Sequence, residues 1–340
     1  MRRAVSFVLT GVLSLALAAC GTGNEQVAST GNVPTPAAEP EQQQAIKLGL
    51  TQFVEHPALD SISQGILDGL KEAGFEDGKN LSVDLQNAHG DMNNTVTIAQ
   101  KYAGDQVDMV IAIATPSAQA AAKAITDRPV IFSAVTDPLS AQLVSSLEAP
   151  DKNVTGTSDK VSMEQQLELV KSFLPDLKKL GVIYTTSEVN SEVQVKDLEA
   201  AAEKAGVEIV KAGISQLNEV QLATQGLVGK ADAIFIPIDN TIVSSFEAVL
   251  GVAEQHNLPV FASDTDTVKR GAIATYGIDY YQVGVQTGEM AARVLNGKAV
   301  AETPVEVSKV AELYINETAA AQFGLEIPEE LKKQAKELIQ

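Results

Sequence analysis

The chain has 340 residues, which is enough for two domains of ordinary size. Its 25 Lys and Arg residues are outnumbered by 44 Asp and Glu residues, and the resulting net charge of −19 argues against a nucleic-acid partner. A single Cys excludes a disulfide within the chain, and three widely separated His residues have no metal-ligand spacing, so we expect neither a metal nor a cofactor.

The first predicted element is an export signal over residues 1–19. Two arginines precede an uncharged, mostly apolar run, Ala4 to Ala19, which is too short for a comfortable membrane span and is typical of a signal peptide. The run leads into the tetrapeptide LAAC, which ends at Cys20 and resembles the lipobox of bacterial lipoproteins. That resemblance implies a diacylglycerol thioether on Cys20; a plain secretory signal with an unrelated Cys is the alternative.

Residues 20–45 are predicted to be a flexible tether that starts at the lipidated Cys. The segment from Gly21 to Gln44 is small, polar and Pro-containing, with almost no apolar side chain to bury. A lipid anchor followed by a tether indicates a folded part that works beside a cell membrane, on its extracytoplasmic face, without spanning it.

The folded part begins as an alternation of strands and helices. The predicted strands are short apolar runs, and the predicted helices carry apolar residues at helical spacing. In chain order they are strand Ile46–Thr51, helix His56–Ala73, strand Leu81–Leu85, helix Thr95–Ala103, strand Met109–Ala114, helix Ser117–Ile125 and strand Val130–Val135. This alternation predicts an α/β fold with a doubly wound parallel sheet.

The same pattern of strands and helices then starts again, and three of its sequence segments match earlier segments in the same order. The matching pairs, at offsets of 132, 124 and 130 residues, are Lys47–Leu50 with Lys179–Val182, Val107–Ala112 with Ala231–Ile236, and Arg128–Ser133 with Leu258–Ser263. Three matches at a nearly constant offset predict two similar doubly wound lobes with a cleft between them.

Two such lobes also predict where a ligand binds. Ligands of open parallel sheets bind at the carboxyl ends of the strands, so loops that follow matching strands should line one cleft from both sides. In lobe 1 the candidate residues are Gln52, Phe53, Thr115, Pro116, Ser117, Thr136 and Asp137. In lobe 2 they are Tyr184, Thr185, Asn190, Asp239, Asn240 and Asp264.

The chemistry of these loops favours a zwitterionic ligand. Thr115, Pro116 and Ser117 open a helix whose free amides and dipole attract an anion such as a carboxylate, although ordinary capping needs no ligand. Asp264 follows a predicted buried strand, where a carboxylate needs a partner, and we predict that it pairs with an ammonium group. Asp239 is a second candidate, but capping of its own helix is the stronger explanation there.

Two aromatic side chains, Phe53 and Tyr184, occupy matching loop positions. Because exposed aromatic rings are unfavourable, they either cover a flat ligand or pack locally. Asp137, directly before Pro138, is more typical of a turn. The predicted loop tips contain no Arg, so a guanidinium site for phosphate or sulfate is not expected.

The sequence offers no catalytic signature. It lacks the GxSxG, GxxxxGK[ST] and GxGxxG motifs, and no spacing singles out a pair of carboxylates among its many acidic residues. We therefore expect a binding protein rather than an enzyme.

Several long runs resemble the tryptophan/tyrosine-type substrate-binding lipoproteins of ABC transporters. The resemblance extends from about Ile46 to Lys298, nearly the whole folded part. The runs that carry it are Gly49–Asp60, Ala112–Gln119, Asn153–Ser158, Val260–Asp266 and Gly277–Tyr281.

The resemblance implies the type I periplasmic-binding-protein fold, in which three strands cross between the lobes. We place these crossings near Thr157, Tyr280 and Ala301. The implied boundaries are 46–157 plus 281–301 for lobe 1 and 158–280 plus 302–340 for lobe 2.

Similar proteins bind an aromatic amino acid, and we expect tryptophan as the ligand here. They close on the ligand and deliver it to a permease that is driven by an ATPase, and we expect the protein to be a monomer. The site residues that the resemblance implies are Gln52, Phe53, Thr115 to Ser117, Asp239, Asn240 and Asp264. Alternatives are another small ligand (a branched-chain amino acid, sugar or nucleoside) and a sensing lipoprotein that signals to a receptor. The effector domain of a transcription regulator shares this fold, but a signal and a tether stand where a helix-turn-helix would have to precede Ile46.

Overall fold

The computed structural model describes residues 45–308 and 311–340. The expected export signal, Cys20 and almost all of the expected tether lie outside these ranges. Within the ranges, no helix is long and apolar enough to cross a membrane.

Strands and helices alternate through most of the described chain. The strands, β1 to β13 in chain order, are Ile46–Gln52, Leu81–Asn87, Met109–Ile113, Val130–Ser133, Val154–Ser158, Lys179–Thr185, Glu208–Ile214, Ala233–Ile236, Val260–Ala262, Ala274–Gly277, Glu306–Val307, Glu312–Asn316 and Glu337–Ile339. The α-helices, α1 to α12, are Pro57–Glu72, Met92–Gly104, Thr115–Ala124, Met163–Phe173, Val189–Ala205, Val220–Gln225, Asn240–Ser244, Phe246–Gln255, Thr265–Arg270, Tyr280–Leu295, Glu317–Gln322 and Glu329–Gln334.

Two helices begin earlier than their hydrophobic pattern predicts, because their first turns consist mainly of polar residues or Pro. Helix α2 starts at Met92, since the side chain of Asp91 accepts hydrogen bonds from the backbone amides of Asn93 and Asn94. Helix α3 starts at Thr115, with Pro116 in its first turn, where proline is tolerated because no intrahelical donor is needed.

The two lobes repeat one strand order, which confirms the predicted α/β fold of doubly wound parallel sheets. The lobe 1 sheet runs β11-β5-β4-β3-β1-β2 and the lobe 2 sheet runs β7-β6-β8-β9. In each lobe the first strand pairs in parallel with the next two strands of the chain, β1 with β2 and β3, and β6 with β7 and β8. A hydrogen bond of 2.8 Å from the Ile273 amide to the Val260 carbonyl then links the lobe 2 sheet to the sheet β10-β12-β13.

The central strands are buried along their whole length. Every residue of β3, β4, β8 and β9 is buried, as expected of parallel strands that are covered by helices on both faces. These strands hold the loops at their carboxyl ends in fixed positions, which is where the sequence places the candidate residues.

The chain passes between the lobes after β5, after β10 and after β11. The third passage comes later than the expected crossing at Ala301, which lies in a short 3-10 helix, Val300–Glu302. The following segment stays with lobe 1, because the Thr303 carbonyl accepts a hydrogen bond from Thr155 Oγ1 (2.7 Å) and β11 pairs with β5. Residues through Val307 therefore extend the lobe 1 sheet, and the expected start of lobe 2 at residue 302 is corrected accordingly.

Helices α1 and α10 pack against each other in lobe 1 with their backbones in close contact. The contact is made by Gly65 and Gly69 on α1 and by Gly284 and Gly288 on α10, each pair four residues apart and so on one helix face. A Cβ atom built on Gly65 would lie 2.2 Å from the Tyr281 carbonyl oxygen, and one on Gly284 would lie 2.2 Å from the Ile62 carbonyl oxygen. Only glycine permits this approach.

Candidate ligand-binding cleft

A cavity of about 370 Å³, counting its opening to solvent, lies where the carboxyl ends of the strands of the two lobes meet. Its walls come from both lobes and from two of the segments that connect them. Lobe 1 and the connections contribute His56, Ala58, Leu59, Thr115, Ala134, Thr136, Asp159 and Tyr280. Lobe 2 contributes Asn190, Ile238, Asp239, Asn240, Val243 and Asp264.

The start of helix α3 is open toward a ligand, whereas its counterpart in lobe 2 is closed. Helix α7 follows β8 and is capped by Asp239, which accepts a hydrogen bond from the Ile242 amide (2.9 Å). Helix α3 follows β3 and has Ala114 at the cap, with a φ of 72° and no side chain that could accept one. Thr115 Oγ1 and Ser117 Oγ in its first turn are buried without a hydrogen-bond partner. Free amides and hydroxyls at a helix N-terminus suit a carboxylate.

Two buried carboxylates line the same cavity. Asp264 is 2% exposed, and within the described ranges its side-chain oxygens accept hydrogen bonds only from the amide and hydroxyl of Thr267 (both 2.9 Å). The Asp159 side chain is also buried, in the connection that follows β5, and its Oδ1 has no partner. Burial raises the pKa of each carboxyl group to about 6. Neither forms an ion pair with another described residue, so a cationic ligand group would relieve a costly arrangement.

Tyr280, the first residue of α10, lies near both carboxylates. Its side chain is buried, and burial raises the pKa of its hydroxyl, followed by the negative charges of Asp159 and Asp264. This part of the cavity is therefore polar and acidic. Among the described residues, no group of three or more His, Cys, Asp or Glu side chains is arranged to hold a metal ion.

Asp239 belongs to a network internal to lobe 2. It accepts hydrogen bonds from the Thr185 hydroxyl (2.8 Å) and the Ser191 hydroxyl (2.7 Å), besides capping α7. Burial, and then the neighbouring charge of Glu188, raises the pKa of Asp239. Glu188 in turn accepts hydrogen bonds from the side chains of Asn240 (2.5 Å) and Thr241 (2.7 Å). The network shapes the lobe 2 wall and leaves Asp264 as the better candidate for an ammonium partner.

The structure brings six of the sequence-predicted residues to the cavity and places seven elsewhere. The six that line it are Thr115, Thr136, Asn190, Asp239, Asn240 and Asp264. The seven that do not are Gln52, Phe53, Pro116, Ser117, Asp137, Tyr184 and Thr185.

Each of these absences has a local cause. Gln52 donates hydrogen bonds to the Val54 carbonyl (2.8 Å) and to Asp60 (2.7 Å), so it fixes the loop before α1. The aromatic rings of Phe53 and Tyr184 are buried in the hydrophobic core, which is the local-packing alternative rather than a cover over a flat ligand. The Thr185 hydroxyl donates a hydrogen bond to Asp239. Pro116 and Ser117 follow Thr115 in the first turn of α3.

Asp137 lies in an open groove outside the cavity. It accepts a hydrogen bond from the Ser140 amide (2.9 Å), as the turn interpretation predicts, and forms an ion pair with Lys160 (2.9 Å). Lys160 also lies 3.7 Å from Asp197 on α5 of lobe 2. The ion pairs therefore link the lobes beside the cleft.

Eight of the fourteen cavity residues are not among the predicted ones, and three of these eight carry a polar side chain: His56, Asp159 and Tyr280. The prediction covered only the loops after matching strands, whereas Asp159 and Tyr280 lie on the connections between the lobes. Asp159 lies two residues after the predicted crossing near Thr157, and Tyr280 is itself the second predicted crossing, so the crossings are the signal that could have identified both. His56 is the cap residue of α1, and its side chain is 8% exposed.

The sequence from residue 47 to residue 339 matches the family described as ABC transporter substrate binding protein. A tyrosine-binding protein of Clostridioides difficile (strain R20291) is 44% identical over 317 residues, which are 93% of this chain and 90% of that protein.

Two solved structures are similar to this chain in different degrees. A Streptococcus pneumoniae ABC domain in complex with L-Trp is 40% identical, with a TM-score of 0.85 over 87% of this chain and 100% of that one. A ligand-free, open substrate-binding protein with adhesive properties from Clostridium difficile is 44% identical, with a TM-score of 0.66 over 87% of this chain and 99% of that one. The lobes are thus arranged more as in the ligand-bound neighbour than as in the open one.

Proposed function

Because the chain belongs to the family of ABC transporter substrate-binding proteins, we propose that it captures an aromatic amino acid between its lobes for delivery to a membrane permease. The observation that carries the proposal is a cavity with two unpaired buried carboxylates, an uncapped helix start and apolar walls. A tyrosine-binding relative and a neighbour that holds L-Trp support the choice of an aromatic ligand.

Each part of an amino acid has a matching part of the cavity. Asp264 and Asp159 hold the ammonium group, whose single positive charge offsets part of their buried negative charge. The first turn of α3, with the Thr115 hydroxyl, receives the carboxylate. The apolar side chains that hold the ring are Ala58, Leu59, Ile238 and Val243.

Closure of the lobes follows from the origin of these groups. Asp264 belongs to lobe 2, the α3 start belongs to lobe 1, and Asp159 lies between them, so all three engage one ligand only when the lobes are together. A ligand with contacts to both lobes stabilises the closed form by its differential affinity. The permease recognises that form, and partner subunits supply ATP hydrolysis. This chain performs no covalent chemistry, so mass spectrometry should recover the ligand unchanged.

The predicted export signal and lipobox in the N-terminal segment indicate where the protein works. We extend the proposal to an exported monomer whose Cys20 is lipidated and anchors it to the extracytoplasmic face of the cell membrane. A Cys20→Ser variant is expected to leave the membrane fraction and appear in the soluble fraction. Equal membrane retention of the variant would contradict the lipid anchor.

A ligand panel tests the function directly. Tryptophan, tyrosine and phenylalanine are expected to raise the melting temperature of the purified protein, because a ligand at 100 times its Kd adds about 2.7 kcal/mol to the free energy of unfolding. Branched-chain amino acids, sugars and nucleosides serve as comparison ligands. If one of these shifts the melt while all three aromatic amino acids fail, the aromatic assignment is wrong.

A further inference from the structure

His56 is a buried polar side chain without any hydrogen-bond partner. Both ring nitrogens are shielded from solvent, and neither forms a hydrogen bond of good geometry in the described part of the chain, although the Asn240 side chain of lobe 2 lies close to the ring. The side chain lines the cavity. Buried polar groups in native proteins are normally hydrogen-bonded, so an orphaned pair of nitrogens at a ligand cavity calls for a ligand group.

The corresponding position of lobe 2 shows the contrast. His56 is the cap residue of α1, which follows β1, and Glu188 is the cap residue of α5, which follows β6. Glu188 is also buried, but it accepts hydrogen bonds from Asn190, Asn240 and Thr241. The lobe 2 position is therefore filled by protein partners, whereas the lobe 1 position is left for something that enters the cleft.

The His56 ring is neutral at physiological pH. Burial, and then the positive charge of Arg270, lowers its pKa to about 4. A neutral imidazole offers one donor and one acceptor. Ala58 and Leu59, beside it on the cavity wall, are apolar, and Asn240, the polar side chain close to it, already donates to Glu188 (2.5 Å).

Aromatic amino acids differ in how well they match such a group. A phenol both donates and accepts a hydrogen bond, an indole only donates one, and a phenyl ring does neither. We infer that His56 binds the polar group of the ligand ring and makes the protein select tyrosine over phenylalanine. This inference rests on the proposed function, since it names the residue that reads the side chain of the captured amino acid.

Calorimetric titration of tyrosine, tryptophan and phenylalanine tests the inference. The wild-type protein is expected to bind tyrosine at least about tenfold more tightly than phenylalanine, because a site built for a hydroxyl rejects the analogue that lacks it. In His56→Leu the ratio of the two Kd values should fall to about one, through weaker tyrosine binding. Phenylalanine should bind the variant within about threefold of its wild-type affinity.

His256→Leu is the matched control, because His256 is exposed at the end of α8 and should leave the ratio unchanged. An unchanged tyrosine-to-phenylalanine ratio in His56→Leu overturns the inference and leaves the proposed function standing. If no aromatic amino acid binds the wild-type protein, both fail. Should His56→Leu not fold, the wild-type ratio and a His56→Asn variant decide: equal wild-type affinities, or an undiminished ratio in His56→Asn, overturn the inference.

Discussion

An Asp264→Asn variant is expected to bind aromatic amino acids about 30-fold more weakly or worse. Removing the charge from one partner of a buried, hydrogen-bonded charge pair costs about 2 kcal/mol or more, which corresponds to that factor. The fold should survive, because Asn caps a helix as well as Asp does and can still accept from the Thr267 amide. Calorimetric titration gives the affinity, and circular dichroism gives the fold.

The matched control is Asp91→Asn, at the exposed cap of α2. It makes the same chemical change at a helix cap that does not line the cavity, so the affinity of this variant for the ligand should equal that of the wild type. Undiminished affinity in Asp264→Asn, by contrast, would move the ammonium role to Asp159 or Asp239.

The pH dependence of binding separates a charge effect from a structural one. Burial raises the pKa of Asp264 and Asp159 to about 6, so lowering the pH from 7.5 to 5 protonates both in the ligand-free protein. The affinity for the amino acid at pH 5 is then expected to be lower than at pH 7.5 by roughly tenfold for each carboxyl group that must release its proton when the ammonium group binds. In Asp264→Asn only the Asp159 carboxyl group still titrates, so the affinity should fall less steeply with pH than in the wild type. The stability of the ligand-free protein changes with pH in the opposite direction to its affinity. The raised pKa values of the two carboxyl groups contribute folding stability below about pH 4, and this contribution is lost as the pH rises through 6.

A Gly65→Ala variant is expected to destabilise the ligand-free protein by about 1–3 kcal/mol, which is the usual cost of forcing extra atoms into a packed contact. The new Cβ would lie 2.2 Å from the Tyr281 carbonyl oxygen and 2.9 Å from the Val285 amide nitrogen, and both are backbone atoms that cannot rotate away. Scanning calorimetry should show a lower Tm, by roughly 2–4 °C for each kcal/mol.

Gly251→Ala in helix α8 is the control for this change. No atom lies within 4 Å of a Cβ built there, so alanine should gain about 0.5–1 kcal/mol from its higher helix propensity. Opposite signs for the two variants would attribute the loss at Gly65 to the contact between α1 and α10. A stabilised Gly65→Ala protein would show that these helices can separate without cost.

Local patterns were enough to predict the alternating strands and helices, because buried parallel strands are continuous apolar runs such as Met109–Ile113. The repeated phrases then predicted the second lobe, and the carboxyl ends of its strands led to Asp264 and Asn240 at the cavity. The same reasoning leaves open whether the rings of Phe53 and Tyr184 face the core or the cleft, and the structure buries both in the core.

Other features depend on contacts between distant segments. The third passage between the lobes was misplaced because β11 has only two residues, too few for a periodic signal, and is defined by its pairing with β5. The role of the glycines in α1 and α10 likewise appears only when two helices about 200 residues apart in the chain meet. In the sequence His56 is considered only as a metal ligand, because the lack of hydrogen bonds to its ring nitrogens becomes visible only once the cavity is assembled.

The ion pairs of Lys160 with Asp137 and Asp197 have a consequence for the motion of the empty protein. They connect the lobes beside the cleft, yet the Lys160 side chain is 45% exposed. Exposed pairs contribute only about 0–1 kcal/mol and are weakened by dissolved salt. They therefore shift the equilibrium between the open and closed conformations only slightly, by an amount that depends on the surrounding ionic strength. The bound ligand, and not these ion pairs, then determines how much of the protein is closed.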